Sequence, residues 1–124
     1  MVASDSLSSS HAVMHAARLR RGEDIARVRT DGIARNDKLF SLRALTTDQP
    51  TVRVAVAASR AVGGAVQRNR ARRRVREAIR IALDARDPKS GADLVVMARP
   101  GALAATVAEL RTSIERDLDA VLVR

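Results

Sequence analysis

The chain has 124 residues, with 23 Lys and Arg against 14 Asp and Glu, so its formal net charge is +9. This length is typical of one compact domain, and the strong bias towards arginine favours a phosphate-bearing partner, since a guanidinium group donates paired hydrogen bonds to phosphate. Phe40 is the only aromatic residue and cysteine is absent, which excludes base stacking on several aromatic rings, disulfides and cysteine-ligated zinc.

The N-terminal residues are rich in Ser and Ala and show no usable periodicity. We therefore predict a flexible tail over residues 1–17 and a single domain over 18–124. Met14 stands just before the ordered pattern, so either Met1 or Met14 is a candidate start. No apolar run approaches the ~20 residues of a membrane span, and no signal-peptide segment is visible. The sequence is thus compatible with a cytoplasmic protein that has no membrane partner.

Periodicity predicts the elements that follow. Residues 23–30 indicate a short helix with acids in its first turn and Gly32 at its end. Residues 38–45 and 51–56 predict an antiparallel pair of strands, because apolar and other residues alternate in the second segment. A helix is expected over 65–83, a buried strand over 92–98 and a last helix around 104–122. This order is typical of an α+β domain.

The helix over 65–83 carries most of the positive charge. Seven arginines lie between positions 68 and 80, with Glu77 as the only acid. With Ala71 set at 0° and a step of about 100° per residue, an arc opposite the apolar stripe holds Asn69, Arg72, Arg73, Arg76 and Arg80. A solvated helix usually mixes charges of both signs, so this pattern favours binding of a phosphate backbone.

Other candidate sites are weak. His11 and His15 have the spacing of a metal pair on one helix face, but they lie in the predicted tail without a third ligand. Asp117 and Asp119 point to different sides of their helix and are interpreted as solvated surface. We therefore expect no catalytic residue, no metal site and no cofactor bound by the protein itself.

Residues 61–78 resemble the signature of the bacterial ribonuclease P protein component, approximately K-[VI]-G-N-A-V-x-R-N-R-x-[KR]-R-x-[LIV]-R-E-A. The core of the resemblance is Arg68-Asn69-Arg70, followed by Arg72, Arg73 and Arg76. Arg18-Leu19-Arg20 is similar to the opening of that family, and residues 95–100 are similar to its fourth strand. The resemblance covers the chain from about residue 18 to the C-terminus.

The resemblance implies an α-β-β-β-α-β-α fold in a single α+β domain. It includes a four-stranded sheet packed with helices, a short additional strand near 32–36 and a left-handed βαβ crossover, an exception to the usual handedness.

The resemblance also implies a function: the protein subunit of ribonuclease P, which assists removal of the 5′ leader from precursor tRNA. The RNA subunit would carry out the hydrolysis with Mg²⁺, and the protein would be a monomer in a 1:1 complex with it. Contacts to that RNA subunit are expected from the strand end and the arginine-rich helix, at Ser59, Arg60, Arg68, Asn69, Arg70, Arg72, Arg73, Arg76 and Arg80.

A separate cleft between the first helix and the sheet is implied to hold the leader. Three positions that are commonly aromatic in that cleft are Ile25, Arg29 and Arg43 in this chain. We expect the two arginines to contact leader phosphates or to stack on bases.

Two alternatives remain open from the sequence. One is a non-catalytic ribosome-associated or nucleoid-binding protein, which would be equally basic. The other is a protein nuclease that acts alone, which would cleave precursor tRNA without an RNA subunit.

Overall fold

The structure, a computed structural model, describes residues 17–49, 51–86 and 91–122. Over these residues the chain forms β1 (Ala17–Arg18), α1 (Gly22–Asp31), β2 (Ile33–Asn36), β3 (Phe40–Thr47), β4 (Val52–Ala58), a 3-10 turn (Arg60–Val62), α2 (Ala65–Asp84), β5 (Gly91–Ala98), α3 (Gly101–Ala104) and α4 (Val107–Leu122). His11, His15 and Met14 lie outside the described residues, so the tail and the start site stay predictions.

The strands form one mixed sheet in the order β1-β4-β5-β3-β2. The predicted antiparallel pairing of β3 with β4 is wrong, because β5 lies between them, antiparallel to β3 and parallel to β4. The physical reason is burial, because β5 is almost completely buried. The centre of the sheet, with a neighbouring strand along each edge, is the position that suits such a strand.

The expectation of four strands is also wrong by one. Ala17 and Arg18 pair in parallel with Arg53 and Val54 of β4, and the Leu19 N–H donates to the Val54 carbonyl at 2.9 Å. Two residues are too few to produce a readable alternation, which is why the pattern missed this strand. β1 also begins at Ala17, one residue inside the predicted tail.

The other predicted elements are confirmed, including the short strand near 32–36, which is β2. Helix α2 connects the parallel neighbours β4 and β5, as a βαβ crossover requires, and the hand of this crossover stays a prediction. Gly32 ends α1 and its N–H donates to the Val28 carbonyl at 2.8 Å. A Cβ at Gly32 would lie 2.5 Å from that oxygen, so the close approach needs glycine.

The two faces of the sheet are covered differently. One face packs against α2 and α4 and forms the main core, with Phe40 fully buried within it. The other face carries only a small apolar cluster under α1, made of Leu19, Val28 and Val95. Part of this second face is therefore open, and it forms the floor of the cleft described below.

Candidate nucleic-acid interface

The start of α2 is set by two glycines. Gly63 has φ +137°, a conformation that L side chains rarely adopt, and Gly64 is the N-cap residue of the helix. From there the apolar stripe docks on the core, since Ala71, Val75 and Ala78 are buried. The rest of the stripe is Ile79, Ala82 and Leu83. The predicted division of this helix into a buried apolar side and an arginine side is confirmed.

We call the arginines of α2 whose guanidinium groups contact neither a carboxylate nor a backbone carbonyl among the described residues the arginine face. They are Arg68, Arg70, Arg72, Arg73 and Arg76. Asn69 is exposed among them and its side-chain oxygen accepts a hydrogen bond from Arg72 at 3.1 Å. A cluster of like charges without counter-charges is unfavourable in the free protein, and a bound polyanion would relieve it.

Arg80 stands apart from the arginine face, although the sequence grouped it there. Its guanidinium lies 2.7 Å from the Glu77 carboxylate and 3.0 Å from that of Asp84. The hydrogen bond from Arg80 lowers the pKa of Glu77. Its proposed RNA contact stays a prediction, and this geometry makes Arg80 the least available of the predicted arginines.

Arg74 is turned towards the protein. Its Nε donates to the Ala102 carbonyl at 3.0 Å and its Nη2 donates to the Ala105 carbonyl. The side chain therefore fastens α2 to α3 and to the connection that leads into α4. It was not among the predicted RNA contacts.

Arg76 connects the arginine face to the second predicted site. It is half-buried and forms one wall of a cleft between α1 and the open face of the sheet. Burial, and after it the charges of Arg18 and Arg72, lower the pKa of its guanidinium. The helix and the cleft are thus two parts of one continuous basic surface.

The predicted cleft residues line two adjoining depressions, and their contact with a leader stays a prediction. Ile25 and Arg29 line a depression of about 300 Å³ together with Arg76. A second depression of about 310 Å³ adjoins it through Arg29 and is lined further by Ser41, Arg43, Val95 and Met97. The floor is apolar and the rim is cationic, an arrangement suited to an extended polyanion with flat bases.

The two predicted cleft arginines differ in their contacts. Arg43 reaches across from β3, and its Nη1 donates to the Arg29 carbonyl at 2.9 Å at the end of α1. Arg29 has no carboxylate within salt-bridge distance among the residues described. Arg43 thus holds the end of the helix that carries Arg29.

Sequence reasoning missed Arg18 and Arg20 as site residues. Both line the cleft and both are exposed, while Leu19 between them is buried. The sequence feature that could have revealed them is the alternation in Arg18-Leu19-Arg20. In an extended segment beside β4, Leu19 points to the core and the two arginines point away from it.

Ser59 and Arg60 lie between β4 and α2. The Ser59 N–H donates to the Ala98 carbonyl at 3.0 Å, which fixes the strand end, and Arg60 is exposed in the 3-10 turn that follows. Both therefore lie at the approach to the arginine face, where the sequence placed them.

The arginines on and around α4 are paired with acids. On α4 and its neighbours, Arg116 lies 2.8 Å from Asp37, Arg111 lies 3.5 Å from Glu115, and Arg86 pairs with Asp119. The uncompensated positive charge is thus concentrated on the side of α2 and the cleft.

The interpretation of Asp117 as solvated surface is wrong. Its side chain is buried, with Arg35 Nε 3.4 Å from Oδ1, and Oδ2 has no hydrogen-bond partner in the described part of the chain. Burial raises the pKa of this carboxyl, and Arg35 partly opposes the shift. The helical angle alone did not reveal that β2 packs over this position.

The described segments contain no group of three or more His, Cys, Asp or Glu side chains placed to hold a metal ion. None of their helices is long and apolar enough to cross a membrane.

Comparison with known proteins gives consistent matches. The sequence model of the family described as Ribonuclease P matches residues 13–121. A ribonuclease P protein component from Chloroflexus aurantiacus is 50% identical over 68 residues, 55% of this chain and 50% of that protein. The counterpart from Gluconacetobacter diazotrophicus is 34% identical over 110 residues, 88% of this chain and 94% of that protein.

The chain spans about half the length of the Chloroflexus relative and 56% of one from Caulobacter vibrioides. Among solved structures, the RNase P protein from Staphylococcus aureus superposes with a TM-score of 0.68 at 23% identity, covering 86% of this chain and 98% of that one. The protein from Thermotoga maritima gives a TM-score of 0.62 at 23% identity, covering 86% and 96%. At this identity the superpositions show a shared fold.

Proposed function

The chain belongs to the ribonuclease P protein family, and from this premise we propose that it is the protein subunit of ribonuclease P. In this role it binds the catalytic RNA subunit and the 5′ leader of precursor tRNA, and it assists the endonucleolytic cut that makes the mature 5′ end. The phosphodiester chemistry belongs to the RNA subunit and its Mg²⁺. The proposed complex is a cytoplasmic one, with one protein monomer on one RNA.

One observation carries the proposal: the arginine face of α2 meets the arginines of the cleft at Arg76, so that the two form one surface. The two parts of this surface suit different ligands. The arginine face stands on a rigid helix and can follow the backbone of a folded RNA. The cleft has the apolar floor and cationic rim that fit an unpaired strand.

The protein's contribution on this proposal is electrostatic and geometric. Arginines neutralise phosphates that repel each other where substrate and RNA subunit meet, so less Mg²⁺ is needed to hold them together. Contacts to the leader, which the mature tRNA lacks, favour binding of substrate over product.

Reconstitution tests this function. The purified protein is combined with the RNA subunit of the same organism, and cleavage of precursor tRNA is measured across a Mg²⁺ series. We expect cleavage at low Mg²⁺ only with both components, and none with the protein alone. Absence of stimulation at every Mg²⁺ concentration would favour a ribosomal or nucleoid protein, and cleavage by the protein alone would favour a nuclease.

The cleft assignment has its own prediction. Replacing Arg29 and Arg43 by Ala removes two cationic groups from the rim and the hydrogen bond that holds the end of α1. We expect the affinity of the holoenzyme for leader-bearing precursor to fall about tenfold, with little change for mature tRNA. Equal weakening of both substrates, measured by equilibrium binding, would contradict a leader site in this cleft.

A further inference from the structure

Helix α1 forms one wall of the cleft, yet it is attached to the sheet by few buried groups. Only two of its residues are buried, Val28 and Asp24. Val28 belongs to the small apolar cluster with Leu19 and Val95. Val28 and the half-buried Ile25, which packs against the same cluster, give this ten-residue helix a small apolar contact with the sheet, so the second buried residue matters for its position.

That second residue is an acid held by a buried ionic network. Arg53 on β4 makes two hydrogen bonds to Asp93 on β5, Nε to Oδ1 at 2.8 Å and Nη2 to Oδ2 at 2.7 Å. Its remaining nitrogen, Nη1, lies 3.5 Å from Asp24 Oδ2 on α1. Arg27, one turn along the helix, lies 3.4 Å from the other oxygen of Asp24.

The burial of this network distinguishes it from ordinary surface pairs. The side chains of Asp93 and Asp24 are 3% and 11% exposed, and that of Arg53 is 32% exposed. The hydrogen bonds with Asp93 raise the pKa of Arg53, so the cation is secured at any physiological pH. Removing one partner of a buried ion pair leaves the other charge without compensation, so the position of Asp24 opposite Arg53 is costly to change.

The network lies next to the cleft. Ile25 follows Asp24 directly in α1, and Arg29 lies five residues after Asp24 in the same helix. The central strands that hold Arg53 and Asp93 also supply the cleft floor, through Ala55 and Val95. Any rotation or lift of α1 relative to these strands would change the width of the cleft and the place of the Arg29 guanidinium.

We propose that Asp24 is a positioning residue: bound to Arg53, which Asp93 fixes on the sheet, it sets the position of α1 and thereby the geometry of the leader cleft. It acts through Ile25 and Arg29 and does not touch RNA. This inference rests on the proposed function, because it concerns how well the cleft accepts a single-stranded leader. At the other end of α1, the hydrogen bond from Arg43 to the Arg29 carbonyl completes the attachment.

The test compares two neighbouring acids in the reconstituted holoenzyme. Asp24→Asn removes the charge that faces Arg53 while keeping the shape of the side chain. The matched control is Glu23→Gln, which lies in the same first turn of α1, is exposed, and pairs with Arg21 of the preceding segment rather than with the sheet. Both variants raise the net charge by one and both weaken the same interaction with the helix dipole.

For Asp24→Asn, a general effect of charge and a displacement of α1 predict opposite changes in RNA affinity. An added positive charge should tighten binding of every RNA, whereas a displaced α1 should weaken binding of the leader alone. We expect the ratio of affinities for precursor and mature tRNA to fall about five- to tenfold in Asp24→Asn and to stay unchanged in Glu23→Gln. Affinity for the RNA subunit should not fall in either variant, and Asp24→Glu should recover part of the ratio.

The outcomes separate this inference from the proposed function. An unchanged ratio in Asp24→Asn overturns the inference, as does a ratio that falls together with affinity for the RNA subunit, since that marks general unfolding. Urea denaturation of each variant checks the fold directly. If the unmodified holoenzyme itself shows no preference for leader-bearing substrate, the proposed cleft function fails, and the inference falls with it.

Discussion

Arg73 and Arg74 are neighbours in the chain with different surroundings. Arg73 is exposed on the arginine face, while Arg74 donates to the carbonyls of Ala102 and Ala105. Those carbonyls lie at the end of α3 and in its connection to α4. The residue type alone does not show whether an arginine stabilises the fold or binds RNA, because that depends on which groups its side chain reaches.

Substitution of each arginine by Met should therefore affect different properties, stability for Arg74 and RNA binding for Arg73. Arg74→Met should lower the free energy of unfolding by about 1–2 kcal/mol, because two carbonyls lose a charged donor. Arg73→Met should leave that free energy within about 0.5 kcal/mol and weaken RNA binding more than Arg74→Met does. Urea denaturation and filter binding measure the two quantities. Equal effects on RNA affinity would mean that Arg74 leaves its carbonyl partners to contact RNA.

The elements combine these residues into surfaces. Helix α2 docks through small aliphatic side chains and carries the five residues of the arginine face, while Arg74 contacts backbone carbonyls and Arg80 is paired with Glu77 and Asp84. The element α1 is attached much more sparsely and forms the opposite wall of the cleft. The firmly docked α2 suits the surface of a folded, rigid RNA. The sparsely attached α1 suits a single-stranded RNA, whose binding depends on the width of the cleft.

The number of available arginines predicts the salt dependence of binding to the RNA subunit. If five phosphates are neutralised, log affinity should fall against log salt with a slope of roughly −3.5 to −4.5. Arg72→Gln should make this slope shallower by about 0.7 to 0.9, whereas Arg80→Gln should leave it unchanged. Binding titrations over a range of KCl concentrations give the slopes. A shallower slope for Arg80→Gln would show that RNA displaces Glu77 and Asp84 from this arginine.

Among the described residues of the whole molecule, arginines occur on many surfaces, but those without an acidic partner lie mainly on α2 and around the cleft. Arginines near α4 are paired with acids, and those of the cleft and α2 are largely not. A net charge of +9 by itself predicts attraction to any polyanion. The distribution of that charge predicts the orientation in which the protein binds.

Two triple variants of equal charge test this orientation. Changing Arg18, Arg20 and Arg60 to Gln lowers the formal charge from +9 to 9 − 3 = +6, and so does changing Arg86, Arg111 and Arg116. At about 0.15 M salt, where charges are screened beyond ~8 Å, the first variant should lose about tenfold or more in RNA affinity. The second should stay within about threefold. Equal losses would show that total charge, rather than its placement, governs binding.

The sequence determined the parts that depend on local periodicity. The type and order of the main elements, the apolar stripe of α2 and the arginines opposite to it follow from spacings of two to four residues, which backbone geometry converts directly into faces. The arginine motif and its surroundings were also sufficient to indicate the family. Ile25, Arg29 and Arg43 were placed together by that resemblance rather than by any spacing.

Tertiary structure decided what depends on contacts between distant segments. It placed β5 between β3 and β4, added β1, turned Arg74 and Arg80 to protein partners and buried Asp117. It also joined Arg53 to Asp93, 40 residues away. These outcomes share one physical cause: a charged or apolar side chain takes the partner that packing brings within a few ångströms, and a one-dimensional pattern does not encode that proximity.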